Sequence, residues 1–116
     1  MPDVDEAART LADAGGDVVA HPRDVGVVAR AAAVQDPDGA LIGLVTSRIG
    51  YPIDRIALDR GDVAWNELVT ADAATAAPMY ASLVAGSVRE ERRGENLYHY
   101  LRNEGRDRAG VMTRPD

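Results

Sequence analysis

The feature that most constrains this chain is a helix signature that occurs twice. Asp3-Val-Asp-Glu6 opens the first copy. An Asp at the start of a helix can accept a backbone N–H, and Glu6 three residues on completes a capping box in its Asp form. Val4, Ala7, Ala8, Leu11 and Ala12 follow at helical spacing, and Gly15-Gly16 stops the run. The second copy starts with Asp72, runs through Met79, Tyr80, Leu83 and Val84, and stops at Ala85-Gly86. Pro78 sits awkwardly in it, since a proline beyond the first turn removes a backbone bond and clashes. A start at Thr75 would bring Pro78 into the first turn.

Strands follow each helix. After the first come Asp17 to His21, ended by Pro22, and then Val27 to Val34, apolar enough to be buried on both faces. Asp36-Pro-Asp-Gly39 is a turn in which Pro sets the first bend and Gly39 takes positive φ. Ala40 to Thr46 is the returning strand. Ser47 to Asp62 reads as a linker. Val63 to Thr70 is a strand before the second helix. Ser87 to Arg92, Leu97 to Asn103 and Arg108 to Thr113 are strands after it, separated by Arg93-Gly-Glu-Asn and Glu104-Gly-Arg-Asp. The order is helix-strand-strand-strand, then strand-helix-strand-strand-strand. This is an internal repeat whose first copy lacks its opening strand.

The expected class is α+β. Two βαβββ-type modules, residues 1–46 and 63–116 joined by a linker over 47–62, form a cupped mixed or antiparallel sheet with the helices outside. The length of 116 residues suits one ordinary domain.

Composition narrows the function classes. The chain has no Cys, which excludes disulfides and thiolate metal sites. The net charge is −6, all 13 basic residues are Arg, and acidic residues interleave with the arginines from Arg89 to Arg108. Nucleic-acid binding is not expected without a basic domain. No apolar run approaches the roughly 20 residues of a membrane helix. The acidic start is unlike a secretory signal. A cytoplasmic protein is the expectation.

Three groups of residues carry a family resemblance. They are Asp3-Val-Asp with Gly15-Gly16, Asp36-Pro-Asp-Gly-Ala40, and Trp65-Asn-Glu-Leu68 with Asp72 and Met79-Tyr80. In this order and spacing the chain resembles the vicinal oxygen chelate superfamily, the glyoxalase, bleomycin-resistance and extradiol-dioxygenase group. The likeness covers most of the chain. It implies paired modules around a small-molecule site, in many members with a divalent metal. The order is that of the back half of one domain joined to the front half of the next, as in tandem members. The chain would then be either a piece of a longer tandem protein or a short form with permuted modules. The edge left by the missing strand favours a homodimer.

The resemblance also locates the metal ligands, and the chain lacks them. Seven residues before Asp72 stands Trp65, whose indole has no lone pair to donate. On the closing strand the family's Glu falls at Gly43, and the second module closes near Gly110-Val-Met112. His21 and His99 are the only imidazoles, and each reads as an exposed or packed histidine. No metal and no other cofactor is expected.

Alternation puts Trp65, Glu67 and Val69 on one strand face and Asn66, Leu68 and Thr70 on the other. Under the resemblance the first set lines the cup, joined by Tyr98, Tyr100 and Met112. Glu67 would be a carboxylate in a partly apolar cup, suited to acid/base chemistry; the plainer reading is that it reaches solvent at the rim or pairs with an Arg. Arg89, Arg92 and Arg93 could hold an anion or be solvated. Asp36 and Asp38 are explained by the turn. Two functions remain open, beside the plainer third reading that the chain is half of a heteromeric assembly and does nothing alone. One is a metal-independent protein binding a small, partly apolar ligand. The other is a lyase, isomerase or dioxygenase-type enzyme using Glu67 or ligands from a partner chain.

Overall fold

The computed structural model describes residues 3–50 and 58–116. Residues 51–57 of the expected linker lie outside the described residues. The chain is α+β, and the described residues hold two helices and seven strands in two sheets. It divides into two compact units, one on either side of that segment.

The first unit holds helix α1 (Val4–Asp13) and strands β1 (Asp17–Val25), β2 (Ala29–Gln35) and β3 (Leu41–Ser47) in the order β1-β2-β3, all antiparallel. Asp3 caps α1 by accepting the Glu6 N–H at 2.7 Å. Val4, Ala7, Ala8 and Leu11 are buried against the sheet, where Ala32 and Val34 meet them; Ala12 is exposed. Each large aliphatic group buried this way contributes about 1.5–3 kcal/mol. Asp5 of α1 takes Arg30 of β2 in a two-pronged pair, 2.6 Å to Nε and 2.8 Å to Nη2. That hydrogen bonding holds the Asp5 carboxyl below its ordinary range.

Strands β1 and β2 differ from the expected ones. Strand β1 does not end before Pro22 but runs through it. It can do so because β1 is an edge strand whose register shifts between Ala20 and Arg23, where a missing N–H costs no ladder bond. Strand β2 begins at Ala29, and Val27 is exposed in the preceding turn. Nor is β2 buried on both faces, since only Ala32 and Val34 are fully covered. The Asp36 turn forms as expected. Gly39 has φ +94°, and the buried Asp36 carboxylate accepts the N–H groups of Asp38 (3.0 Å) and Ala40 (2.7 Å).

The second unit holds β4 (Glu67–Thr70), helix α2 (Ala73–Leu83), β5 (Ser87–Arg93), β6 (Asn96–Asn103) and β7 (Arg106–Thr113). The sheet order is β4-β7-β6-β5, with β4 parallel to β7 and the rest antiparallel. The expected strand from Val63 is shorter. The last bond on its N-terminal side is Gly110 N–H to the Asn66 carbonyl at 3.0 Å, and Val63 is exposed, so no burial extends the strand upstream. Helix α2 starts at Ala73, not Thr75. Asp72 caps it by accepting the Thr75 N–H (3.3 Å) and hydroxyl (2.7 Å), and Pro78 is carried inside. Ala73, Ala76, Ala77 and Val111 form the core, with Leu68, Tyr80, Val88 and Leu101 packed around it.

The repeat extends to a shared seam. In the first unit Gly15 takes φ +97°, and a side chain on Gly16 would run into Leu11 and the Gln35 carbonyl at the end of β2. In the second, Ala85 takes φ +51°, and a side chain on Gly86 would run into the Arg102 carbonyl near the end of β6. Each helix ends in a left-handed residue, followed by a glycine pressed against the second strand of its own hairpin. The units differ in one strand: among the described residues nothing pairs with the outer edge of β3, the place that β4 takes beside β7.

Candidate functional site

The face of the second sheet turned away from α2 collects the chemistry. Leu68 packs toward the α2 core, which leaves its neighbours Glu67 and Val69 on the opposite face, both exposed. Cross-strand pairing continues that face: Glu67 lies opposite Gly110, Gly110 opposite Tyr100, and Tyr100 opposite Arg89. Glu91 lies opposite Tyr98, and Val69 opposite Met112.

A hydrogen-bond chain crosses these strands. The Trp65 indole N–H donates to the Tyr98 oxygen at 3.0 Å, and the Tyr98 hydroxyl donates to Glu67 Oε2 at 2.5 Å. Glu67 and Tyr98 stand on strands separated by β7, and they meet because Gly110 has no side chain. A β-carbon there would overlap the Tyr98 phenol. Burial, and next the bond to Glu67, push the Tyr98 hydroxyl above its ordinary range and hold it neutral.

Tyr98 and Tyr100 meet edge to face, with ring centres 4.8 Å apart, and Trp65 approaches Tyr100 at 6.0 Å. Two guanidinium groups lie on the rings, Arg89 over Tyr100 at 3.9 Å and Arg93 over Tyr98 at 4.1 Å. The Tyr100 hydroxyl donates to Glu91 at 2.7 Å and also receives a bond from Arg93. These contacts, the Tyr100 bond foremost, lower the Glu91 carboxyl. Asp107 takes Arg89 at 2.8 Å and Arg102 at 2.9 Å, and Arg89 lowers it in turn.

Beside this network lies an open cleft of about 480 Å³, lined by Glu67, Ala74, Arg93, Glu95, Asn96, Leu97, Tyr98, His99, Met112 and Thr113. Of the six residues expected to line a ligand site, Glu67, Tyr98 and Met112 do line this cleft. Trp65 and Tyr100 belong to the adjoining network, and Val69 stands exposed on the same face. Of the two readings of Glu67, the exposed one fits: its side chain is open to solvent, because β4 is an edge strand and Trp65 lies before it in irregular chain. Arg89 and Arg93 are not merely solvated but stacked on tyrosines; Arg92 is exposed. Glu91 and Gly110 were not singled out from sequence as site residues. The alternation Arg89, Glu91, Arg93 along one strand face was the available signal for Glu91.

Among the described residues no group of three or more His, Asp or Glu side chains gathers to hold a metal ion. His21 is exposed, and His99 is buried on the α2 face. Also among the described residues, no helix is long and apolar enough to cross a membrane. No protein-family model matches the chain, and no curated protein matches it.

Proposed function

We propose that the protein binds a small, partly apolar molecule without a metal, in the manner of the glyoxalase and bleomycin-resistance-like proteins that its sequence resembles. The observation that carries this reading is the cleft of about 480 Å³, with Leu97, Ala74 and Met112 as apolar lining and Glu67, Tyr98 and His99 as polar groups. Ligand sites combine an apolar concavity with a few placed polar groups, and this volume is in their usual range. The aromatic network stiffens the neighbouring wall. A cytoplasmic homodimer, joined through the free edge of β3, belongs to the same proposal.

One observation favours a second reading, acid/base chemistry at Glu67: its short bond to the Tyr98 hydroxyl, 2.5 Å, could pass a proton. The binding reading stands first, because the phenol is held neutral and one Glu67 oxygen is already engaged by it.

The test is a ligand-observed NMR screen of small organic molecules against chelator-treated protein, with light scattering run alongside. Binding that survives chelation and is lost in Met112→Asp supports the reading. A library of several hundred compounds in which none binds would sink it.

A further inference from the structure

Strand β3 holds a glycine that nothing in its own unit requires. Gly43 does not take positive φ, and a side chain built on it would meet no atom of the described residues within 4 Å. A glycine inside a strand weakens it, and it often marks a place where another backbone comes close.

The β2–β3 ladder fixes which way the backbone around Gly43 points. At the turn end Asp36 donates its N–H to the Ala40 carbonyl at 2.8 Å, and at the open end Arg48 donates to the Val28 carbonyl at 2.7 Å. The register between them runs without a shift. Bonded and unbonded pairs alternate along an antiparallel ladder, so Ile42, Leu44 and Thr46 are the residues bonded to β2. Leu41, Gly43 and Val45 turn their N–H and carbonyl groups to the outer edge. They are disposed symmetrically about Gly43, and Leu41 and Val45 also expose apolar side chains.

The other edge strands among the described residues are guarded. Strand β1 carries Pro22 with Asp17, Arg23 and Asp24, β5 alternates Arg and Glu, and the short β4 begins at Glu67. Strand β3 has neither charge nor proline. Its flanks carry opposite signs, Asp38 in the turn before it and Arg48 directly after it, both exposed. Arg48 holds Asp24 of its own unit and still keeps much of its surface open. An antiparallel copy of β3 sets the acidic flank against the basic one. A parallel copy would set like against like.

We infer that the outer edge of β3 pairs antiparallel with β3 of a second copy, on a twofold axis through Gly43, so that Leu41 of each copy lies opposite the partner's Val45. This rests on the homodimer of the proposed function and adds its axis and its contacts. The pairing bonds every outward backbone group of Leu41, Gly43 and Val45. It covers both exposed side chains, and the facing glycines leave them room. Such a contact is isologous and closes with two copies.

The chain has no cysteine, so one introduced cysteine reports on its own counterpart. The experiment oxidises full-chain Ile42→Cys, Gly43→Cys, Leu44→Cys and Val45→Cys with oxidised glutathione, beside light scattering of the unaltered protein. At the axis the facing α-carbons are about 5.5 Å apart, within disulfide range, and one residue along they are about 8 Å apart, beyond it. Gly43→Cys is expected to link into dimers and the other three are not. Val45→Lys is expected to weaken the dimer about tenfold or more, since each dimer loses two Leu41–Val45 pairs. Linking at Ile42, Leu44 or Val45 instead would overturn the axis and leave the β3 homodimer standing. No linking at any of the four would overturn the pairing, and so would assemblies that grow past the dimer with concentration. Monomers in light scattering would overturn the homodimer of the proposed function as well. The ligand screen described above judges the cleft separately.

Discussion

Gly110 stands where the Tyr98 phenol must lie, so the absence of one side chain on β7 is what lets a tyrosine on β6 reach a glutamate on β4. The glycine has no positive φ and makes no turn. Its role is space, and the site depends on it.

Gly110→Ala therefore expels the phenol from its seat. Overpacking of this kind costs about 1–3 kcal/mol. The loss is expected as a lower urea midpoint with unchanged slope. Trp65, the only tryptophan, should shift its emission because its Tyr98 partner moves.

Tyr98→Phe keeps the ring and removes the hydroxyl. The Trp65 N–H and Glu67 each lose a partner, and both are near enough to solvent to be rehydrated. The expected cost is about 1 kcal/mol, smaller than for Gly110→Ala. A larger loss than in Gly110→Ala, measured by the same denaturation, would refute the ranking.

The Tyr98 hydroxyl has a pKa raised by burial and by Glu67. A group raised in the folded state contributes stability that is fully present below its unfolded pKa, about 10 for Tyr, and is lost as pH rises through the higher folded value. Absorbance titration of the phenols should show a late step that belongs to Tyr98. Tyr98→Phe should abolish that step. At the acid end the sign reverses. Asp5, Asp107 and Glu91 are all lowered, so what they contribute is present above about pH 4 and lost as pH falls through their folded values.

Pro78 occupies the sixth position of α2 and denies the Ala74 carbonyl its N–H. Pro78→Ala restores that bond and removes the ring clash, against some gain in unfolded-chain freedom. A net stabilisation on the order of 2 kcal/mol is expected, read as a higher melting temperature. A drop would mean that the proline ring fills space its neighbours need.

What the sequence made legible is local. The caps at Asp3 and Asp72, the Asp36 turn, and the glycines that end both helices act within a few residues of themselves, so short stretches of chain reveal them. The α+β class and the three-strand and four-strand modules followed from these signals. What escaped depends on distant partners. Trp65 has the alternation of a strand residue, yet β4 starts after it, because pairing with β7 begins only at Asn66. Pro78 reads as a helix breaker, but the buried row Ala73, Ala76, Ala77 outweighs it. The meeting of Glu67 and Tyr98 across Gly110 joins three strands, and no spacing along the chain encodes it.

The outer edge of β3 has a consequence for handling the protein. Leu41–Ser47 contains no charge and no proline, and Leu41 and Val45 are exposed. Sheets ordinarily guard such edges with lysines, prolines or bulges, because an unguarded edge adds strands indefinitely. A protomer whose β3 edge is not closed by a partner should therefore aggregate through this strand first. A lysine in place of Val45 is the natural first substitution for anyone who needs the protein to stay dispersed.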